Sequence, residues 1–413
     1  KGLIPIQLEK QQEYDVVIVG AGPAGCAAAY QLAKQNLQIA LLEKGTFPRD
    51  KICGDALSPD VMNQFQLMDE SLANDFRQLV TKKRAYSIHF FAPNHERLDV
   101  HYKNPKLHAY VSKRMDFDNF LVEEVRKKSN VHFFENIAVK KVSCSEKEAS
   151  IETTQGHFKA AIVLGADGAH SVVKSQLIGQ KINKKHYSAG LRQYYKNLTP
   201  LEEKAGIELH FYQEALPGYL WIFPLPDNQA NVGIGMLSEA VSKQEVNLKD
   251  LMDELLRTHP KLKERFKEAI PMEKPKGFGL PLGSKKVACS GNRFLLLGDA
   301  ASLIDPFTGE GIGNAIRSGR VAAEHLEKAF QQKRFDASFN QAYDKEIYRR
   351  MWSELRLSRF MQKMLRYPKL FNFIVKKANR NESLRTLITA SLEDVDLRQQ
   401  FKKPSFYFKL LFQ

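Results

Sequence analysis

The chain has 413 residues, more than the roughly 250–300 that one hydrophobic core holds, so a two-lobed, enzyme-sized protein is expected. Hydrophobic residues make up 43% and charged residues 26%, and no run approaches the ~18 apolar residues of a membrane span, so peptide hormones, disulfide scaffolds and helix-spanning membrane proteins are excluded and a soluble chain is expected. The net charge is +15, and residues 331–413 hold 18 Lys/Arg against 8 Asp/Glu, so the basic excess concentrates in the C-terminal region.

Such a region suits an anionic membrane surface or a phosphorylated substrate. No nucleic-acid partner is expected, because no recognition-helix, RRM or zinc-finger pattern accompanies the charge. The cysteines Cys26, Cys53, Cys144 and Cys289 lie far apart without a C-x-x-C pair, which supports neither a disulfide framework nor a metal site and makes a reducing compartment the default. The first thirteen residues, KGLIPIQLEKQQE, show no apolar core followed by a small-residue cleavage site. The expected location is therefore cytoplasmic, with the basic region available for contact at the inner membrane face.

In chain order, Tyr14 to Val19 is a short apolar strand ending at glycines, Cys26 to Lys34 an alanine-rich helix and Leu37 to Glu43 a second strand. This is a parallel βαβ unit that opens a doubly wound sheet. From Ala85 to Tyr102 the pattern alternates as strands, and Met115 to Lys128 returns to helix, with Phe117, Phe120, Leu121 and Val125 on one face. Strands follow at 131–134, 138–142, 149–153 and 160–164, the middle two joined by a polar turn. A second set at 187–195, 207–212, 219–223 and 231–236 is assigned to an antiparallel lobe. Arg293 to Leu297 is one more apolar strand, a helix follows from about Gly313 to Ala329, and the remainder is helical and basic. The expected class is α/β with an α+β second lobe: a Rossmann-like domain with parallel sheet and β-meander, an antiparallel substrate-domain sheet, and a C-terminal helical region. The expected division is 1–84, 106–180 and 286–330 for the dinucleotide-binding domain, 85–105 and 181–285 for the substrate domain, and 331–413 for the basic helices.

Gly20-Ala21-Gly22-Pro23-Ala24-Gly25 fills the first strand-to-helix turn. Gly20 permits the tight turn, Gly22 lets the backbone approach a pyrophosphate, and Gly25 allows helix and strand to pack closely. The helix start at Pro23 and Ala24 offers unpaired N–H groups and a positive dipole end. Glu43, at the tip of the second strand with Lys44 beside it, is placed to accept hydrogen bonds from adenosine ribose hydroxyls. These residues indicate a dinucleotide and leave open whether it is FAD or NAD.

Two later motifs bear on that choice. Asp167-Gly168 ends the apolar run Ile162 to Leu164, and Gly298-Asp299 ends the run Leu295 to Leu297. A carboxylate at a strand C-terminus stands where α/β sheets bind ligands, and a flexible polyol needs acceptors to fix it. Together the three elements resemble the FAD-dependent oxidoreductases of the aromatic-hydroxylase and geranylgeranyl-reductase superfamily, whose fingerprints are G-x-G-x-x-G, Asp-Gly and Gly-Asp in this order. The resemblance implies FAD, held tightly and non-covalently. It also implies that Asp299 binds a ribitol hydroxyl, and that Asp167 structures a turn near the pyrophosphate that serves nicotinamide binding as well.

Three further segments carry the resemblance. Pro306-Phe307-Thr308-Gly309-Glu310-Gly311-Ile312 is similar to the family loop that lies along the isoalloxazine, where a helix N-terminus faces the flavin edge that gathers negative charge on reduction. Lys51-Ile52-Cys53-Gly54 resembles the family's K-x-C-G segment, which passes near the flavin. It makes Cys53 a candidate active-site residue and counts Arg49 and Gly54 among the cofactor-binding residues. Arg114 matches an R-x-x-(F/L)-D-x-x-L pattern whose arginine reaches the cofactor.

Pro217-Gly218-Tyr219-Leu220-Trp221-Ile222-Phe223-Pro224 resembles the Y-x-W-x-F-P signature of geranylgeranyl reductases. Its alternation puts Tyr219, Trp221 and Phe223 on one face, an aromatic wall for a polyisoprenoid chain. Cys53 and Tyr219 are the candidate proton sources, and Trp221 belongs to the substrate cavity. The leading expectation is a reductase in which NAD(P)H or a ferredoxin-like carrier reduces the flavin, which passes hydride to a carbon–carbon double bond of a lipid-like substrate. The alternatives are an NAD(P)H monooxygenase acting on an aromatic or polyketide-like substrate and a flavin-bound protein without turnover. Halogenation is disfavoured, because Lys82 and Lys83 lie in the region of the halogenases' reactive lysine without a supporting motif. Phe360, Met361, Met364 and Leu365 share a helical face flanked by Lys363, Arg366, Lys369, Lys376, Lys377 and Arg380, a candidate membrane-facing surface.

Overall fold

The computed structural model describes residues 12–102, 108–179, 182–199, 206–382, 384–386 and 388. The strand Gln12–Val19 lies inside an eight-stranded sheet, between Gly156–Gly165 and Ile39–Leu42, and is parallel to both. Val16, Val17 and Ile18 have no exposed surface, as expected of a parallel strand covered on both faces. Val131–Phe134 continues the sheet beyond Ile39–Leu42, and Phe294–Leu296 continues it beyond Gly156–Gly165. The hairpin of Val139–Cys144 and Ala149–Thr153 adds the antiparallel meander.

On this sheet the helix Pro23–Leu32 packs against the long helix Ile312–Gln332. Small residues set the spacing: a side chain at Gly319 would run into the Ala24 carbonyl and stand 2.9 Å from the Ala28 nitrogen. The glycine turn and the start of Ile312–Gln332 therefore meet at one end of the sheet.

A second eight-stranded sheet has Tyr187–Lys196, Gln229–Leu237, Gly218–Leu225 and Ile207–His210 in antiparallel order. The hairpin Ser87–Phe91 and Arg97–His101 joins its far edge. On Gly218–Leu225 the alternation holds. Leu220 and Ile222 pack with Met252, Leu255 and Leu256 on one face, while Tyr219, Trp221 and Phe223 lie with Phe211 and Phe307 on the other.

Several elements are absent from the sequence reading. Helices occupy Pro59–Met68, Glu70–Gln78, Leu248–Thr258 and Pro260–Phe266. A three-stranded sheet joins Ala56–Leu57, Ala109–Ser112 and Lys82–Ala85. The strand Lys276–Pro281 contains two glycines, which weaken strand propensity. It forms because the edge of Tyr187–Lys196 supplies its hydrogen bonds.

The C-terminal region is helical as expected, over Ala337–Met364 and Pro368–Arg380, and residues from 389 onward lie outside the described residues. One reading needs correction. Leu365 is buried and Met361 packs beside it against the aromatic core of the second sheet, so these two members of the face turn inward. The apolar side chains that do face outward are Phe360, Tyr367, Leu370 and Phe373. Helical spacing identifies a face but not its direction, which the neighbouring sheet decides.

Candidate active site

The first strand delivers Gly20 into a turn with φ of +101°, where a side chain would lie 2.5 Å from the Ala166 carbonyl oxygen. A side chain at Gly25 would collide with the Gly20 carbonyl, so helix and turn close up only as glycine. Gly22 is different, with no atom within 4 Å of its absent Cβ. It is the N-cap of Pro23–Leu32 and offers no side-chain cap, leaving first-turn amides at an open surface. Ala24 and Pro23 are buried beneath it.

Glu43 braces this turn from the neighbouring strand. Its carboxylate accepts from the amides of Ala21 and Gly45, each at 3.0 Å, and from Arg49 at 3.3 Å. A ribose hydroxyl reaching Glu43 shares those oxygens with three protein donors. Lys44 is exposed at the rim. Arg49 also reaches Asp118 at 3.1 Å, and Arg114 grips the same carboxylate through two bonds of 2.7 and 2.8 Å. Asp118 has no exposed surface, so both predicted arginines converge on a buried acid that the sequence reading did not single out.

Asp167 receives the amides of Val172 and Val173 at 2.7 and 3.2 Å, which fits a turn-structuring role. Its Oδ1 is buried without a partner, and burial raises its pKa. Gly168 has φ of +77° and open space at its Cβ position. Gly298, with φ of +54°, sits against Ala24 and Ala315, and the Asp299 carboxylate beside it accepts no hydrogen bond from a described residue. Asp299 Oδ1 lies 3.6 Å from the Cβ position of Gly311, so the loop Pro306 to Ile312 runs alongside it. Gly309 in that loop has φ of +71°. The open cradle at Gly22, the orphaned Asp167 oxygen and the unpartnered Asp299 carboxylate fit a pyrophosphate and a polyol, as FAD supplies them.

The second sheet closes on this cradle through hydrogen bonds from Tyr219, Asn231 and Tyr194 and through the packing of Phe223. Tyr219 donates its hydroxyl to the Thr308 carbonyl, and burial raises its pKa well above the ordinary tyrosine value. That hydroxyl is committed to the loop and holds its proton firmly. Trp221 donates its indole N–H to Asn231 at 2.9 Å, and the Asn231 amide donates to the Cys53 carbonyl at 2.7 Å and to Asp55 at 2.9 Å. Asp55 also accepts from Tyr194 at 2.7 Å, and burial pushes its pKa up to about 6. Gly54 lies under the aromatic face, its Cβ position 2.9 Å from the Phe223 ring. Cys53 is free and half-buried between the lobes.

Asn231 and Asp55 are functional candidates that the sequence reading missed, and Lys51 stands in its K-x-C-G segment without an assigned role. Asp55 and Lys51 flank the noted cysteine and were within reach of it. Asn231 lies on a plain strand and carries no local signal. Lys82 is not available as a reactive lysine, because its ammonium donates to the Arg77 and Leu79 carbonyls at the end of a helix. Among the described residues no group of three His, Cys, Asp or Glu could hold a metal ion.

The family described as FAD binding domain matches residues 13–358. Digeranylgeranylglycerophospholipid reductase of Methanococcus vannielii is 30% identical over 402 residues, covering 94% of this chain and 93% of that protein. The chain belongs to the geranylgeranyl-reductase family of FAD-dependent oxidoreductases. Menaquinone reductase of Mycobacterium tuberculosis is 28% identical over 326 residues, 76% of each chain. The solved geranylgeranyl bacteriochlorophyll reductase-like protein of Thermoplasma acidophilum shares the fold, with a TM-score of 0.78 and 22% identity over 95% of this chain and 96% of that one. As a member of the family this chain is an FAD-dependent enzyme.

Proposed function

We propose that this reductase saturates carbon–carbon double bonds in an isoprenoid chain of a lipid-like substrate. When bound, FAD supplies the two-electron reducing chemistry. The observation that carries the reading is the aromatic face of Gly218–Leu225, tied at Tyr219 to the loop Pro306 to Ile312 and at Trp221 to the Cys53–Asp55 segment. Tyr219, Trp221 and Phe223 with Phe211, Phe307 and Phe371 offer an apolar wall that holds a flexible chain and excludes water. In our reading Asp299 holds the ribityl chain, the first-turn amides at Gly22 hold the pyrophosphate, and Gly54 lets substrate and wall approach closely. Cys53 is the side chain that faces the reacting carbons as proton source, because Tyr219 is committed to Thr308.

We further assign the FAD-binding part to 1–84, 106–180 and 286–330 and the substrate part to 85–105 and 181–285. NAD(P)H or a ferredoxin-like carrier is the donor. Between Arg356 and Arg380 the sequence holds eight Lys/Arg and no Asp/Glu, and Phe360, Tyr367, Leu370 and Phe373 point outward there. No helix among the described residues is long and apolar enough to cross a membrane. We read this surface as a peripheral contact with anionic lipid on a cytoplasmic enzyme, expected to bind anionic vesicles in a salt-sensitive way. Equal binding to neutral and anionic vesicles, or none, removes that assignment.

The test of the main reading is anaerobic. The FAD-loaded protein is reduced with dithionite, NADPH or NADH, and then mixed with geranylgeranyl diphosphate while the flavin spectrum is followed. Reoxidation with a gain of two hydrogens per double bond by mass supports the alkene reading. No response to the isoprenoid, together with a rapid oxygen reaction that yields a hydroxylated product, overturns it in favour of a monooxygenase. Substituting Trp221→Ala tests the wall separately, and unchanged affinity and turnover remove it.

A further inference from the structure

Lys51 lies in the segment that the second sheet holds at Asp50 and Cys53, and no described acid forms an ion pair with it. Its ammonium lies over the face of Phe278 at 3.7 Å from the ring centroid, and it forms no hydrogen bond or ion pair with a described residue. The strongest attraction on its charge comes from Asp299, whose carboxylate accepts no hydrogen bond from a described residue, with Asp118 adding to it and Arg114 opposing it. Burial lowers the pKa of this half-buried lysine, and the attraction of Asp299 offsets that only in part. A charge so placed is held more favourably when a ligand supplies a further partner.

Its position is fixed from both sides. One residue earlier, Asp50 accepts two bonds of 2.9 and 2.7 Å from Arg192, which has 1% exposed surface, and one of 3.1 Å from Lys276. Two residues later, the Cys53 carbonyl is held by Asn231. Phe278 itself is seated by pairing with Gly190 across the sheet. The segment carrying Lys51 is thus pinned to the second sheet at two points, with the ammonium on Phe278 and under the electrostatic influence of Asp299. The acid it faces is the one placed to hold the ribityl chain, so the flavin ring belongs within reach of the ammonium.

We propose that Lys51 is the counter-charge for the flavin, held on Phe278 so that it interacts more strongly with the reduced, electron-rich ring than with the oxidised one. A cation of this kind stabilises the reduced cofactor and raises its midpoint potential. Each tenfold preference for the reduced form corresponds to about 30 mV for a two-electron couple. The inference rests on FAD binding with Asp299 at the ribityl chain and not on the isoprenoid reading, so failure of the alkene assay leaves it standing.

The experiment compares the holoenzyme with K51M and K51R, measuring the midpoint potential by spectroelectrochemical titration with dithionite and the affinity for oxidised FAD by fluorescence titration. K51M is expected to lose a ten- to hundredfold preference, lowering the midpoint by about 30–60 mV while oxidised FAD binds within a few-fold of wild type. K51R is expected to restore most of the loss. If K51M does not fold, K51Q is measured in its place. An unchanged midpoint overturns the proposal, as does a loss of affinity equal for oxidised and reduced FAD, which would make Lys51 a binding residue without redox preference.

Discussion

Asn231 donates its side-chain amide to the Cys53 carbonyl at 2.7 Å, joining residues 178 positions apart. Through the same side chain Trp221 and Asp55 are linked, so one buried asparagine sets the distance between the aromatic wall and the cysteine segment. Asn231 has no exposed surface, and no water can replace it without a cavity.

Asn231→Ala therefore removes three hydrogen bonds and leaves the Trp221 indole N–H and the Cys53 carbonyl without their partner, while Asp55 keeps its bond from Tyr194. The expected loss of stability is about 2–4 kcal/mol in urea unfolding, with turnover falling more than FAD affinity. An unfolding midpoint equal to wild type would mean that the bridge bears no load.

Gly54→Ala places a methyl carbon 2.9 Å from the Phe223 ring, which is buried and has little room to retreat. Destabilisation of about 1–3 kcal/mol is expected. Phe223→Leu in the same chain should recover part of it, and simple additivity of the two substitutions would show that they do not touch.

Asp299→Ala deletes an acceptor that no described protein donor uses. Stability of the apoprotein should be little changed, while FAD affinity falls about 10- to 100-fold, the worth of a hydrogen bond to a charged group. Titration of apoprotein with FAD reads this directly, and unaltered affinity would separate Asp299 from the cofactor.

Glu310 accepts the Gly313 amide at 2.7 Å, and burial, with Asp60 and Asp305 nearby, pushes its pKa up to about 7 against the cation Arg317. Its ordinary value is about 4.3, so the folded chain keeps a proton that the unfolded chain has lost. The contribution to stability is present in full below about pH 4.3 and is lost as the pH rises through 7. Glu310→Gln should flatten the melting temperature between about pH 6 and 7.5. The slope below pH 6 should persist, because Asp55, raised to about 6, acts with the same sign. An identical profile in the variant would place the titration elsewhere.

What the sequence determined by itself is what short-range pattern encodes. Glycine spacing at 20, 22 and 25, the apolar strand before it and Glu43 at the next strand tip specify a strand, tight turn and helix, because each depends on backbone within one turn or strand tip. The alternation of Tyr219, Trp221 and Phe223 likewise specifies one face. The tertiary structure decided which partners those side chains meet. The strand Lys276–Pro281 exists because a neighbouring edge completes it, and Leu365 turns inward because a core waits there. Arg49 and Arg114 share Asp118, Asn231 reaches Cys53, and Lys51 comes to rest on Phe278 through contacts spanning up to 227 residues. Such contacts leave no periodic trace in the chain, since they follow from how two sheets pack and not from the local preferences of the residues that make them.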